Sequence, residues 1–168
     1  KDISKFNNNL CNKKSFTPED MQNLCDRRWE LVLGQSFKGF VKPFTTKRML
    51  MIDQISVFEP SGGAYGLGYI VGEKFLNPDD WFFPCHFKDD MVMAGSLVCE
   101  GCSQLIRLYS VYLGLHLEFE DFYYCPMKGE KQKVRCRGQI LPHRGKLIYC
   151  MEIFDIGYKD GSPYLKAN

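Results

Sequence analysis

Apolar and polar residues follow different patterns in successive parts of the chain, and the changes mark its predicted elements. Residues 1–15 are rich in Asn and Lys and have no apolar period, so we predict a linker. In the next segment, Thr17 is placed to cap a helix, Pro18 suits its first turn and Gly34 would end it. The apolar stripe of this helix is predicted to consist of Met21, Leu24 and Trp29.

Strand-forming residues dominate from Arg48 onward. Two runs, 49–58 and 64–75, flank the turn sequence EPSGG and are predicted to form a β-hairpin. Later strands are predicted at 122–128, 131–140 and 145–156, with a turn at 141–144 and the start of a further strand at 162–168.

The segment 95–113 differs from its surroundings because its 19 residues include no proline and carry apolar groups on most sides. Such a pattern predicts a helix buried at the centre of a domain. One long helix with at least five strands in mostly hairpin order predicts the α+β class, in which an antiparallel β-sheet wraps around the helix. We place this domain at 46–168, and the linker with its short helix at 1–45.

Composition and charge narrow the classes of partner. The formal net charge of +2 is too small to favour nucleic acid, and no apolar run approaches the roughly 18 residues that span a bilayer. The eight cysteines lie mostly in apolar helix or strand patterns, so we predict reduced, mostly buried thiols in a cytoplasmic protein. A zinc site at Cys99 and Cys102 is the weaker interpretation, because there is no second CxxC pair. We therefore expect neither a metal nor a cofactor.

Two ionisable residues stand where burial would be costly. His86 lies in the aromatic run WFFPCHF, and Glu100 lies inside the predicted central helix. Between them, Gly95 opens that helix, where free backbone N–H groups and the helix dipole favour negative charge. A base, an anion-binding helix end and a carboxyl group match the requirements for removing a proton next to a thioester carbonyl. For His86, a core histidine bonded to a backbone carbonyl is the alternative.

Four polar residues of the central helix share one face because they follow the spacing i, i+3, i+4 and i+7: Glu100, Ser103, Gln104 and Arg107. They form either a narrow solvated stripe with a Glu–Arg pair or the polar lining of an active-site tunnel, in which Gln104 orients Glu100. A set of apolar residues is expected either to line that tunnel or to pack in the core: Phe82, Phe83, Leu97, Leu105 and Leu108.

These motifs carry a resemblance to a known family. The stretches RMLMIDQI, NPDDWFFPCHFKDDMVMAGSLVCEGCSQLIRLYSVYLGLH and VRCRGQILP closely resemble the beta-hydroxydecanoyl thioester dehydratase family of hot-dog proteins. The chain is most similar to the dehydratase domains of polyunsaturated fatty acid and polyketide synthases. The resemblance runs from about Arg48 to Asn168. It is specific, because both the spacing of the motifs and the residues that flank them match the family.

The resemblance implies a role for each matching residue. His86 falls on the catalytic histidine of the family and Glu100 on its catalytic acid. Gly95 falls on the glycine whose N–H binds the thioester oxygen, and Gln104 matches a glutamine that follows the acid. Gln104, Phe83 and Leu97 are expected to contact substrate. Family members build the site across a dimer interface, so a homodimer or a pseudo-dimer with another hot-dog domain is expected.

The expected activity is dehydration of (R)-3-hydroxyacyl thioesters, carried by acyl carrier protein or CoA, to trans-2-enoyl thioesters. Isomerisation to the cis-3 product is a close alternative, and a non-catalytic hot-dog unit that pairs with an active partner or binds carrier protein is the rival. Two features favour the rival: the departures at Met91 and Ala94, which replace the usual prolines before the helix, and the end of the chain inside the expected last strand. The presence of both His86 and Glu100 argues against it. Since the chain begins with Lys and ends inside the expected last strand, we expect an excised domain of a longer synthase.

Overall fold

The computed structural model describes residues 12–168, and Cys11 and most of the predicted linker lie outside this range. None of its helices combines the length and the apolar character needed to cross a membrane, as far as residues 12–168 are concerned. The helices and strands follow the chain in the order α1 (Pro18–Cys25), α2 (Trp29–Leu33), β1 (Gln54–Glu59), β2 (Tyr69–Phe75), α3 (Gly95–Tyr112), β3 (Lys146–Lys159) and β4 (Ser162–Ala167).

The four strands found in residues 12–168 form one antiparallel sheet in the order β1–β2–β3–β4. The predicted hairpin at EPSGG is therefore confirmed, because β1 pairs directly with β2. The long helix α3 begins at the predicted Gly95 and lies against the sheet. The α+β class, with an antiparallel sheet around one long helix, is confirmed.

Two glycines allow α3 to approach the sheet closely. A Cβ atom on Gly72 of β2 would lie 3.1 Å from Leu105 Cδ2, and one on Gly101 of α3 would lie 2.6 Å from ring atoms of Tyr149. Real Cβ contacts are rarely that short, so a larger residue at either position would push helix and sheet apart. These contacts set the depth at which α3, the helix that carries Glu100, lies in the fold.

The segment before the sheet starts as predicted but is not one helix. Thr17 Oγ1 accepts a hydrogen bond from Asp20 N at 3.2 Å, while Thr17 N donates to Asp20 Oδ2 at 2.8 Å, which makes a capping box. The single helix predicted up to Gly34 is wrong, because Arg27 adopts a left-handed conformation with φ of 62° and separates α1 from α2. A residue with positive φ cannot continue a right-handed helix.

This lead-in packs into the same core as the sheet. Phe16 exchanges two backbone hydrogen bonds with Ile55 of β1, at 2.8 and 2.9 Å. The apolar residues of the lead-in belong to the cluster that also contains Ile55, Leu105 and Tyr149, and they are Phe16, Met21, Leu24, Trp29, Val32, Leu33, Phe37 and Phe44.

The strands predicted at 122–128 and 131–140 are wrong. Neither run forms a strand, and most of their side chains are exposed. An alternating pattern shows only that a segment is able to pair, whereas a strand also needs a hydrogen-bonding neighbour. In residues 12–168 neither run pairs with any strand of the sheet. Ile140 is nevertheless fixed, because its carbonyl accepts a hydrogen bond from Met93 N at 3.0 Å.

The prediction of mostly buried thiols is also wrong. All seven cysteines in the described part of the chain are free, but five are exposed and only Cys25 and Cys99 are partly buried. Cys150 shows the physical reason, since it lies on the outward face of β3 while its neighbours Tyr149 and Met151 point into the core. At the partly buried Cys25, burial raises the pKa of the thiol to about 11.

Candidate active site

The carboxylate of Glu100 is held by two side chains of its own helix. Gln104 Nε2 donates to Glu100 Oε1 at 3.0 Å, and Arg107 Nη2 donates to the same oxygen in an ion pair. The Glu100 side chain is 29% exposed, so it is partly buried in α3 and still reachable. The face predicted from the helical spacing is therefore real, and Gln104 contacts Glu100 as expected.

Gln104 is itself fixed by the backbone that precedes β1. Its Oε1 accepts from Met51 N at 3.0 Å, and its Nε2 also donates to Met49 O at 2.8 Å. The side chain is fully buried, and these partners determine which end of the amide is oxygen. The amide therefore holds Glu100 through a rigid connection to residues 49–51, which the sequence pattern did not indicate.

Gly95 is the first residue of α3 and is exposed. No side chain caps this helix, so the N–H groups of Gly95 and Ser96 are free to bind an anionic oxygen, while Leu97 N donates to Ala94 O at 3.0 Å. A Cβ atom on Gly95 would meet only Cys136 Sγ, at an ordinary 3.8 Å. Packing within residues 12–168 thus does not require glycine here.

One of the two departures before this helix, Ala94, has a small structural effect. Ala94, the N-cap of α3, has φ of −63° and ψ of 135°, and proline fixes φ near that value. Ala94 therefore adopts the backbone conformation that a proline would impose. Met91 is exposed.

His86 follows a short 3₁₀ turn, Phe83–Cys85, and its position differs from the expectation. Its side chain is exposed rather than buried, and its ring lies 4.1 Å from the ring of Phe87, centroid to centroid. The next residues turn sharply, since Asp89 has φ of 63°. The aromatic run predicted burial because Phe82 and Phe83 are buried, but the turn sends His86 to the surface.

Trp81 fastens this turn to the residues that hold Gln104. Its Nε1 donates to Arg48 O at 2.8 Å, and the guanidinium of Arg48 lies 5.1 Å from the centre of its ring. The thiol of Cys85 donates to Trp81 O at 3.0 Å. The segment that carries His86 and the helix that carries Glu100 are therefore both fixed to residues 48–51. Sequence analysis missed Arg48 and Trp81, because no pattern joins residues 33 positions apart.

The structure brings Phe83 and Leu97 into one apolar cluster. Phe83 is fully buried there, and Leu97 packs on the cluster from α3 while remaining partly exposed. Leu105 and Leu108 are buried in the larger core between α3 and the sheet, where they act as core residues. Phe82 is likewise buried, beside Phe83. Of the predicted tunnel residues, Leu97 is thus the one that keeps exposed surface.

The predicted site residues fall into two groups. Gly95, Glu100 and Gln104 lie on α3 within three turns, whereas His86 stands apart, and no hydrogen bond or ion pair joins it to Glu100 in residues 12–168. The described range also contains no cluster of three or more His, Cys, Asp or Glu side chains that could hold a metal ion, so Cys99 and Cys102 have no further ligands there.

Comparison with known proteins gives two findings. A family model described as FabA-like domain matches residues 44–168. A polyunsaturated fatty acid synthase subunit of Thraustochytrium sp. is 47% identical over 172 aligned residues, which cover 99% of this chain. The same alignment covers 11% of that relative, so the chain spans only a small part of its length.

Proposed function

The chain belongs to the family of FabA-like domains, which have the hot-dog fold, and on this premise we propose that it dehydrates 3-hydroxyacyl thioesters in fatty acid synthesis. Family membership and the identity to a polyunsaturated fatty acid synthase subunit support a dehydratase-type role. The substrate would be an (R)-3-hydroxyacyl chain on the phosphopantetheine of an acyl carrier protein, or on CoA, and the product a trans-2-enoyl thioester. No other cofactor takes part.

One observation carries this proposal: Glu100, held by Gln104, lies on the helix whose uncapped N-terminus begins at Gly95. Free N–H groups stabilise a developing oxyanion, and a carboxyl group is able to donate a proton to a leaving group. Dehydration across C2 and C3 of a thioester needs an oxyanion-binding group near C1 and a proton donor near the hydroxyl at C3, so the two groups must lie close together. Leu97, which lies between Gly95 and Glu100 in sequence, is partly exposed, and its apolar surface suits the acyl chain.

In the proposed reaction, His86 takes a proton from C2 of the thioester. Negative charge moves to the thioester oxygen, where Gly95 N–H and the positive end of α3 stabilise it. The C3–O bond then breaks as the C2–C3 double bond forms, and the hydroxyl takes a proton from Glu100 and leaves as water. His86 has gained one proton and Glu100 has lost one, so a proton exchange with solvent restores the site.

Within this proposal, the imidazole comes from a second hot-dog unit. His86 is exposed, has no hydrogen bond to Glu100 of its own chain, and stands on a turn fixed by Trp81. An exposed catalytic base that is held in place suits a site completed by another subunit. The partner would be a second copy of this chain or a neighbouring domain of the same polypeptide.

The rival proposal is a non-catalytic hot-dog unit that pairs with an active domain or binds carrier protein. The ion pair between Glu100 and Arg107 favours it, because such a pair joins two turns of a helix face without any chemistry. Isomerisation of the trans-2 double bond to cis-3 is a further possibility for an active site, since the same base could remove a proton at C4.

Turnover of a carrier-bound 3-hydroxyacyl thioester by the purified chain tests the proposal, with formation of the enoyl thioester followed by absorbance and mass spectrometry. We expect elimination of water, and complete inactivity with both carrier-bound and CoA-bound substrates would support the non-catalytic rival instead. The cis-3 product, sought after incubation with a trans-2-enoyl thioester, would reveal isomerase activity.

A further inference from the structure

Arg107 lies two turns beyond Glu100 on α3, and three contacts fix its guanidinium. Its Nε donates to Ser103 O at 3.3 Å, its Nη1 donates to Phe44 O at 3.3 Å, and its Nη2 contacts Glu100 Oε1. A guanidinium is a rigid planar fork, so fixing two of its nitrogen atoms also fixes the direction of the third. The third nitrogen is the one that holds the carboxylate.

The backbone of Arg107 is restrained as well. Its carbonyl accepts a hydrogen bond from Ser110 Oγ at 2.8 Å and a longer one from Tyr124 Oη at 3.4 Å. The side chain of Arg107 is 24% exposed. An isolated surface ion pair is worth little because both side chains must be immobilised for it, but here the guanidinium is already held by two main-chain carbonyls.

Both donors of Glu100 use the same oxygen. Gln104 Nε2 and Arg107 Nη2 donate to Oε1, and no donor to Oε2 is found in residues 12–168. One oxygen of the carboxyl group is thus anchored from two directions while the other is open. A proton carried on Oε2 leaves the contacts of Oε1 intact, since a protonated carboxyl group keeps an acceptor oxygen.

We propose that Arg107 is a positioning residue that anchors Oε1 of Glu100, so that Oε2 is the oxygen that carries the proton to the leaving hydroxyl. This inference rests on the proposed function. It assigns Arg107 a role that acts through Glu100 and not on the substrate. In this arrangement the protonated Glu100 gives up its proton from Oε2 while the contacts of Oε1 with Gln104 and Arg107 stay in place.

The test uses Arg107→Ala and Arg107→Lys in the full chain, with Arg28→Gln as the matched control. Arg28 forms an exposed ion pair with Asp26 at 3.0 Å, away from α3. Misplacing a catalytic group by about 1 Å can lower the rate by about 100-fold, so Arg107→Ala should lower kcat by about 10- to 100-fold. KM should stay within about threefold, because Arg107 contacts no substrate in this proposal.

Chemical rescue separates positioning from a general structural role. Guanidinium ion at a non-denaturing concentration should restore part of kcat in Arg107→Ala, whereas sodium chloride at equal ionic strength should not. Arg107→Lys should retain more activity than Arg107→Ala, and Arg28→Gln should match wild type. Wild-type kcat in Arg107→Ala would overturn the inference. So would a loss that neither lysine nor guanidinium restores, particularly with a lowered melting temperature.

The outcomes also distinguish this inference from the proposed function. A wild-type chain that turns over no 3-hydroxyacyl thioester would contradict the proposed function itself. In that case, the carboxyl carbon resonance of Glu100 still reports the anchoring, because Arg107→Ala should shift it and Arg28→Gln should not. An active wild type with an equally active Arg107→Ala variant would contradict only the role of Arg107.

Discussion

Tyr149 of β3 and Gly101 of α3 meet so closely that a single added methyl group would overlap. A Cβ atom on Gly101 would lie 2.6 Å from Cε1, Cζ and Oη of the Tyr149 ring, which is buried. Gly101 immediately follows Glu100, so this contact also sets where the proposed acid sits against the sheet. The helix and the sheet are so close here that only glycine fits at position 101 without displacing one of them.

Gly101→Ala should therefore destabilise the protein although alanine favours helices. Overpacking typically costs about 1–3 kcal/mol, and the better helix propensity returns up to about 1 kcal/mol. We expect a net loss of up to about 2 kcal/mol in the free energy of unfolding, measured by urea denaturation. Gly138→Ala is a control for the substitution itself, because nothing lies within 4 Å of its added Cβ and its φ is not in the left-handed region. A Gly101→Ala variant more stable than wild type would contradict the packing described above.

Ala94→Pro should stabilise the chain by restoring one of the two prolines that the family pattern contains. Ala94 already has φ of −63°, and no acceptor for its N–H is found in residues 12–168. A compatible proline stabilises by about 0.4–1 kcal/mol because it restricts the unfolded chain. Ala64→Pro is the matched control and should destabilise, since Ala64 N donates to the Glu152 carboxylate. Urea denaturation of both variants checks the prediction, and a less stable Ala94→Pro would contradict it.

Stability should fall in mild acid because of His116. This side chain is buried against the rings of Phe37, Phe40 and Phe122, and its Nδ1 has no hydrogen-bond partner in the described range. Burial lowers the pKa of His116 below its ordinary value of 6.5. The unfolded chain therefore binds this proton at a higher pH than the folded chain does. The free energy of unfolding is therefore unaffected by His116 above pH 6.5, where the imidazole is neutral in both states. It decreases as the pH falls below 6.5, because the unfolded chain takes up the proton first.

His116→Phe should remove that part of the pH dependence, whose slope is at most about 1.4 kcal/mol per pH unit. His143→Gln is the control, because His143 is exposed, and it should keep the wild-type profile. Chemical denaturation between pH 5 and 8 gives the free energy of unfolding of each variant. Taking the difference between variants removes the contribution of carboxylates, which titrate in all of them. Parallel profiles for wild type and His116→Phe would show that the buried imidazole does not contribute.

The features that could be predicted from sequence are those set by neighbours in the chain. The start of α1 was predicted from Thr17 and Pro18, and α3 from its apolar character on most sides. The shared face of Glu100 and Gln104 followed from helical spacing alone. In each case the determining contacts lie within a few residues.

The features that were missed depend on contacts between distant parts of the chain. Whether 131–140 forms a strand depends on a neighbouring strand, and the exposure of His86 depends on the turn that follows buried Phe83. The carbonyl of Phe44 that holds Arg107 lies 63 positions away in sequence, and no local pattern marks it. Tertiary contacts of this kind decide how the site is oriented, while local patterns decide which residues it contains.

The proposed reaction predicts that His86→Ala and Glu100→Gln each lose nearly all dehydration activity while remaining folded. Glu100→Gln keeps the acceptor for Gln104 and Arg107 and removes only the acidic proton.

Because His86 is exposed and not bonded to Glu100 of its own chain, we expect the two residues of one site to come from different units. Co-expression of the two variants then produces hybrid dimers in which one site has both His86 and Glu100. With random pairing, such mixtures should recover about a quarter of wild-type activity. Mixing two copies of the same variant should recover none. If both residues of a site came from one chain, no hybrid would hold an intact site and activity would stay absent, which would contradict assembly across two units. Activity in either single variant would contradict the assignment of that residue.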